Sequence, residues 1–264
     1  MIRIPLPLPL WHLGCLLAPS QDHLETACIS KLVLHLTNRE RLQRGLPALR
    51  PHWKLDRVAQ FHSSNMAASG FFAHEDPHGR SPQQRMTLLY PNLLGGVGEN
   101  IAVLSRYAQE ELARLAVDGW MNSPGHRKNI LSDSYSHLGV SLAASRDRIY
   151  LTQSFANLYI EFGTAAQSRQ LCYGSRCALT FSFLGAFPRA DLAIHLEVPD
   201  RDAMHAAAHG AYYRGTWPLL LRWRSEQLGE VGFTSVYGRG PYRLFAGRKS
   251  SGLSSPVPFI IEVS

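Results

Sequence analysis

Trp120-Met121-Asn122-Ser123-Pro124-Gly125-His126-Arg127 closes one helix and opens another, and the fold of the chain can be read outward from it. Before it, Ala108, Leu112, Leu115, Ala116 and Gly119 recur at the three- and four-residue spacing of a helix with one apolar side, so a helix spans about Tyr107 to Met121. Pro124 has its φ preset for a first helical turn and starts a short helix toward Leu131, which places His126 in that turn. Downstream, Leu138 to Leu142 and Ile149 to Phe155 alternate with period two, with Ser145-Arg146-Asp147 as the turn of a hairpin.

The same periodicities extend upstream. Ile29, Leu32, Val33 and Leu36 predict a helix from about Leu24 to Arg44, stopped by Gly45 and Pro47. Leu55, Ala59, His62 and Met66 predict a second from about Lys54 to Ser69, stopped by Gly70, with His62 on its inward side as a core histidine. A short helical piece runs to Met86, and Gly95-Gly96-Val97-Gly98 reads as a Gly-rich turn.

After about Ala165 the helical periods vanish. Leu192 to Val198, Leu219 to Trp223, Tyr242 to Ala246 and Phe259 to Val263 alternate, with turns at Pro199-Asp200, Gly229 and Gly238 to Pro241. Strands at this spacing without helices between them predict a small antiparallel β-sandwich. The chain of 264 residues is therefore expected to be α+β overall, with a helical and sheet domain at 24–160 and an all-β domain at 165–264. Met1 to Ser20 reads as an export signal segment: Arg3, then an apolar run too short and proline-rich to span a membrane. Leu13-Gly14-Cys15 adds the alternative of a lipoprotein signal. Cys172 and Cys177 flank a Tyr-Gly-Ser-Arg turn that could bring them within bridging distance, which leaves Cys28 as an unpaired buried residue. The net charge of +7 is spread along the whole chain without a nucleic-acid-binding signature, so nucleic acid is not expected as a partner.

Phe71-Phe72-Ala73-His74, Gly98-Glu99-Asn100-Ile101-Ala102, Trp120 to Arg127 and Tyr150 to Phe155 together resemble the bacterial branch of the CAP superfamily, the cysteine-rich secretory, antigen 5 and pathogenesis-related proteins. The resemblance covers about Leu32 to Ala156. It implies an α-β-α sandwich with a cleft that, in many eukaryotic members, holds a divalent metal on two histidines and two glutamates. Carried onto this chain, the histidines are His74 and His126 and the first glutamate is Glu99. The position of the second glutamate is Ser123.

Two imidazoles can ligate zinc, and a carboxylate can complete the site or orient an imidazole from behind. His74 and His126 are thus candidate zinc ligands, and Glu99, Asn100 and Ser123 candidate cleft residues. Each also has an ordinary structural reading: Glu99 and Asn100 in local turn bonds, His126 in helix packing, Trp120 as a core anchor. A hydrolase would need Ser63 or Ser123 as nucleophile with a histidine base and Glu99 as orienter, or paired carboxylates among Glu75, Asp76 and Glu99. Ser123 lacks the glycines of a nucleophile elbow. The resemblance instead favours a non-enzymatic binding module outside the cytoplasm, secreted, periplasmic or lipid-anchored, for a small amphipathic ligand, a lipid or a cell-wall polymer. In the C-terminal part, Tyr212, Tyr213, Trp217 and Trp223 interleave with Arg214, Arg222 and Arg224, as either a cationic aromatic platform or ordinary strand core.

Overall fold

A computed structural model of the chain describes residues 21–105, 108–146, 148–163, 170–206, 212–252 and 254–264, with only the backbone described for 21–26. The expected signal segment at 1–20, with Cys15, lies outside the described residues. The chain divides into two compact units: residues up to Pro82 with Gly98–Phe155, and Gln83–Val97 with Ala156–Ser264. Up to the second unit's own strands, the elements run α1 (Gln21–Leu42), β1 (Arg50–Pro51), α2 (Trp53–Ser69), α3 (Pro82–Leu89), β2 (Leu93–Ser105), α4 (Gln109–Asn122), α5 (Pro124–Ile130), β3 (His137–Ser145) and β4 (Arg148–Phe162).

In the first unit, β1, β3, β4 and β2 are neighbours in that order. The alternation read from the sequence has a physical consequence here, because both faces of β4 are buried. Ile149, Leu151 and Phe155 join the apolar residues of α1 and α4, including Val33, Leu36, Leu112, Val117 and Trp120. Tyr150, on the opposite parity, packs with Met66 of α2 and Ile101 of β2. Helix α2 ends as its sequence requires: Gly70 adopts φ 69° and its N–H donates to the Met66 carbonyl at 2.9 Å. Strand β3 is paired by β1 only at His137 and Leu138. Farther along, α2 side chains cover its open edge: Asp56 Oδ1 accepts from Val140 N–H at 2.9 Å, and Gln60 Nε2 donates to the Leu142 carbonyl at 3.4 Å.

The second unit is sheet-rich. Its strands are β5 (Gln170–Leu171), β6 (Arg176–Phe183), β7 (Leu192–Glu197), β8 (Met204–Ala206), β9 (Tyr212–Arg214), β10 (Thr216–Pro218), β11 (Leu221–Trp223), β12 (Leu228–Thr234), β13 (Gly240–Arg248) and β14 (Phe259–Val263). Strands β6, β12 and β11 are antiparallel neighbours, β10-β7-β13-β14-β5 form a five-stranded sheet, and β8 pairs with β9. One apolar cluster joins the inward residues of both sets, among them Leu179, Phe181, Val231, Ile194, Leu244 and Phe259. Among the described residues, no helix is long and apolar enough to cross a membrane.

Five sequence expectations are corrected. Gly95-Gly96-Val97-Gly98 is not a turn but part of β2; a Cβ on Gly95 would lie 2.4 Å from the Asn157 carbonyl, so this glycine permits close passage of two backbones. Gly229 likewise sits inside β12, where a side chain would meet the Phe181 ring at 2.3 Å. The alternating run Leu219 to Trp223 belongs to no single strand, because the chain leaves one sheet after Pro218 and enters the other at Leu221. Finally, Cys172 and Cys177 are both free thiols, Cys172 exposed and Cys177 buried. The alternation of β6 turns Cys177 into the apolar cluster with Leu179 and Phe181, and burial pushes its thiol pKa up to about 11. Cys28 is disulfide-bonded rather than unpaired.

The domain boundary also differs from a simple cut near 160, since 83–97 groups with the C-terminal unit. Backbone bonding accounts for this: Phe162 N–H donates to the Asn92 carbonyl at 3.0 Å, and Asn92 Nδ2 to the Phe162 carbonyl at 2.7 Å.

Candidate functional site

Three segments of the first unit bring His74, Glu99 and His126 together. The segment after Gly70 carries His74, β2 carries Glu99, and the first turn of α5 carries His126. The Glu99 carboxylate is 1% exposed, whereas the His74 ring is 50% exposed, and Glu99 Oε1 accepts from His74 Nδ1 at 2.9 Å. A buried carboxylate behind a half-exposed imidazole fixes the ring's orientation and leaves Nε2 directed away from the carboxylate. The His74 and His126 ring centroids are 6.2 Å apart. His126 has its pKa held below the ordinary histidine value, first by burial and then by the neighbouring His74, so its ring is neutral at pH 7.

His62, read from sequence as a core histidine, is fully buried and supports this arrangement from below. Its Nε2–H donates to the Ala73 carbonyl at 2.9 Å, beside His74 in the chain, and lies 3.7 Å from Glu99 Oε1. Asn100 is also fully buried. It does not line the cleft but braces it, donating from Nδ2 to the His126 carbonyl and to Gln153 Oε1, both at 3.1 Å. Asn129 Nδ2 donates to Asn100 Oδ1 at 2.9 Å and to the Glu99 carbonyl at 3.0 Å, and Gln153 Nε2 donates to Thr37 Oγ1 at 2.7 Å. This buried network ties α5 and His126 to β2 and Glu99. Sequence reasoning missed Thr37 and Asn129 in it. Its signal was Gln153, a polar side chain in the apolar register of Ile149, Leu151 and Phe155.

The remaining candidates have surroundings of their own. Ser123 joins α4 to α5, where its side chain makes no capping bond. Ser63 is fully buried, and its hydroxyl is shared with Thr152 Oγ1 at 2.8 Å and the Ser141 carbonyl at 3.3 Å. Asp76 organises its own turn: burial works against its charge, but bonds from Arg80 and the His78 N–H hold its pKa below the usual carboxylate range. Glu75 is exposed.

Zinc can be tested against these residues. Among the described residues no three His, Cys, Asp or Glu side chains form a group that could hold a metal ion. Glu99 stands behind His74 rather than beside it, which leaves two imidazoles, too few for a closed structural site. The donor set does not fit a resident metal centre.

Comparison with known proteins finds relatives for the part of the chain that holds these segments. The family model of the cysteine-rich secretory protein family, CAP, matches residues 34–155. The uncharacterized Bacillus subtilis (strain 168) protein YkwD is 36% identical over 118 residues, covering 44% of this chain and 42% of that protein. The uncharacterized membrane protein YlbC of the same organism is 37% identical over 125 residues, covering 47% of this chain and 33% of its own length. The chain thus spans less than half the length of these curated relatives. Among solved structures, an extracellular SCP-domain protein from Bacillus anthracis str. Ames is 31% identical, covers 53% of this chain and 43% of that chain, and has a TM-score of 0.44. A cysteine-rich secretory protein from Staphylococcus aureus subsp. aureus Mu50 is 19% identical, covers 49% of this chain and 38% of that chain, and has a TM-score of 0.38. The region that matches the family model of the cysteine-rich secretory proteins, residues 34–155, holds His74, Glu99 and His126.

Proposed function

We propose that this protein is a non-enzymatic recognition module outside the cytoplasm, whose His74/Glu99/His126 cleft binds the polar head of a small amphipathic ligand, with the sheet-rich C-terminal unit as a β-sandwich-like partner module. The observation that carries this reading is the His74 to Glu99 pair. A half-exposed imidazole oriented by a fully buried carboxylate, beside the neutral His126, offers fixed polar atoms for a ligand's hydroxyl or phosphate group. Phe72, two residues before His74 and 49% exposed, offers an apolar surface for the rest of it. The solved B. anthracis relative is described as extracellular, which supports the location.

The same pair would serve a hydrolase as base and orienter, but of the two candidate serines Ser63 has its hydroxyl buried and shared, and Ser123 lacks the glycines of a nucleophile elbow. The test is a titration of the full chain with lauroyl lysophosphatidylglycerol below its micellar concentration, read by NMR on the histidine rings. Saturable one-to-one shifts of His74 and His126, lost in His74→Ala, support the proposal. Unsaturable shifts, or binding unchanged in that variant, refute it. Release of free laurate that disappears in Glu99→Gln would favour hydrolysis instead.

A further inference from the structure

Cavities away from the His74 cleft include one in the first unit and two in the second that are lined by described residues. One lies against α1 and β3 and is lined by Leu34, Pro51, Leu138 and Val140, with nothing to define an occupant. A second, beside His195, has its cations committed: Arg248 Nε donates to Asp191 at 3.0 Å and Lys249 Nζ to the Ala190 carbonyl at 2.8 Å. The third lies on the outward face of β6, β12 and β11, has a volume of about 440 Å³, and includes Arg176, Arg222, Glu230 and Thr234 in its lining.

The register explains why that face is hollow. Ala178 of β6 stands directly opposite Gly232 of β12, so the middle of the face carries almost no side chain. Arg176 is opposite Thr234 and Arg222 opposite Glu230, which puts the two arginines at opposite ends of the hollow. Along β12 their partners are four residues apart, about 13 Å at strand rise. Arg176 and Arg222 are exposed, and their guanidinium groups make no hydrogen bond or ion pair among the described residues. The one carboxylate on the floor, Glu230, is already neutralised by Arg224 at 3.0 Å. A hollow with an uncommitted guanidinium at each end and a hydroxyl and a paired carboxylate between them matches a chain with two separated anionic groups and hydroxyls in the spacer.

We propose that the outward face of β6, β12 and β11 is a second binding site, for a hydroxylated polyanion whose phosphate or carboxylate groups engage Arg176 and Arg222. The spacer's hydroxyls bond Thr234 and Glu230, and the bare floor at Ala178 and Gly232 admits its backbone. The site is independent of the His74 cleft and stands or falls separately.

The experiment is calorimetric titration of the full chain at low ionic strength with hexagalacturonate, a glycerol phosphate oligomer and neutral maltohexaose. Saturable binding of at least one anionic probe, with maltohexaose silent, is expected, and the tighter probe distinguishes carboxylate from phosphate. R176Q/R222Q weakens that binding about tenfold or more, and each single replacement weakens it by a smaller factor, so the outcome does not depend on the double variant folding. R214Q, an arginine on β9 already paired with Asp202, leaves it unchanged. Failure of both anionic probes to saturate, equal binding of maltohexaose, or an equal loss in R214Q, which would indicate diffuse charge attraction, each overturns the proposal.

Discussion

Asn100→Ala tests whether the buried amide network holds the cleft together. The Asn100 side chain is fully buried and makes three hydrogen bonds, to the His126 carbonyl, to Gln153 Oε1 and from Asn129 Nδ2. Its removal leaves the Gln153 carbonyl oxygen without that donor in a dry site, at about 1–3 kcal/mol. The other two bonds add about 1 kcal/mol each, since Asn129 keeps the Glu99 carbonyl at 3.0 Å. The expected loss is therefore about 3–5 kcal/mol, a large share of a domain's stability. Urea unfolding of the full chain, followed by tryptophan fluorescence and circular dichroism, measures it. The first turn of α5 loses its tie to β2 in the same variant, so the His126 ring resonances should shift at neutral pH. A loss under about 1 kcal/mol with unshifted His126 resonances would show that packing alone positions α5, and the network argument would be wrong.

Acid should unfold the first unit partly through His137, which is 4% exposed and whose pKa is lowered to about 3 by burial and by the nearby Arg50 and His52. Its folded pKa lies below the unfolded 6.5, so its contribution is complete above about pH 6.5 and declines by about 1.4 kcal/mol per pH unit down to about pH 3. Melting temperatures at pH 7 and 4.5 should converge in His137→Gln; an undiminished gap refutes the assignment. Gly139→Ala would place a Cβ 2.1 Å from the Leu55 backbone and should cost more than about 3 kcal/mol, whereas Gly119→Ala meets nothing within 4 Å in α4 and should stabilise by about 1 kcal/mol. Thermal denaturation of the two variants should move in opposite directions. Alkylation with iodoacetamide, read by mass spectrometry, should label Cys172 in the native chain and Cys177 only after unfolding; simultaneous labelling would contradict the burial of Cys177.

Local periodicity in the sequence marked α1, α2, α4, β3 and β4, whose apolar residues recur at a single period, but not β2, whose glycines read as a turn. Leu55, Ala59, His62 and Met66 mark α2 unaided, and Gly70 marks its end. His74, Glu99 and His126 were singled out by the resemblance of the motifs that carry them, since no local period marks a residue in the middle of β2 or in the loop after α2.

What the tertiary structure alone decided concerns pairs far apart in the chain. No local pattern shows that Gly95 and Gly229 sit inside strands, since their reason is another backbone or ring pressed against them. Nor could spacing reveal that Asn100 braces His126 rather than lining the cleft, or that Glu99 stands behind His74 instead of beside it. A spacing of five residues between Cys172 and Cys177 permits a bridge, but the alternation of β6 directs the second thiol into the core. Hydrogen-bond direction and the side of a sheet that a residue faces depend on which strands meet, and long-range register makes that choice.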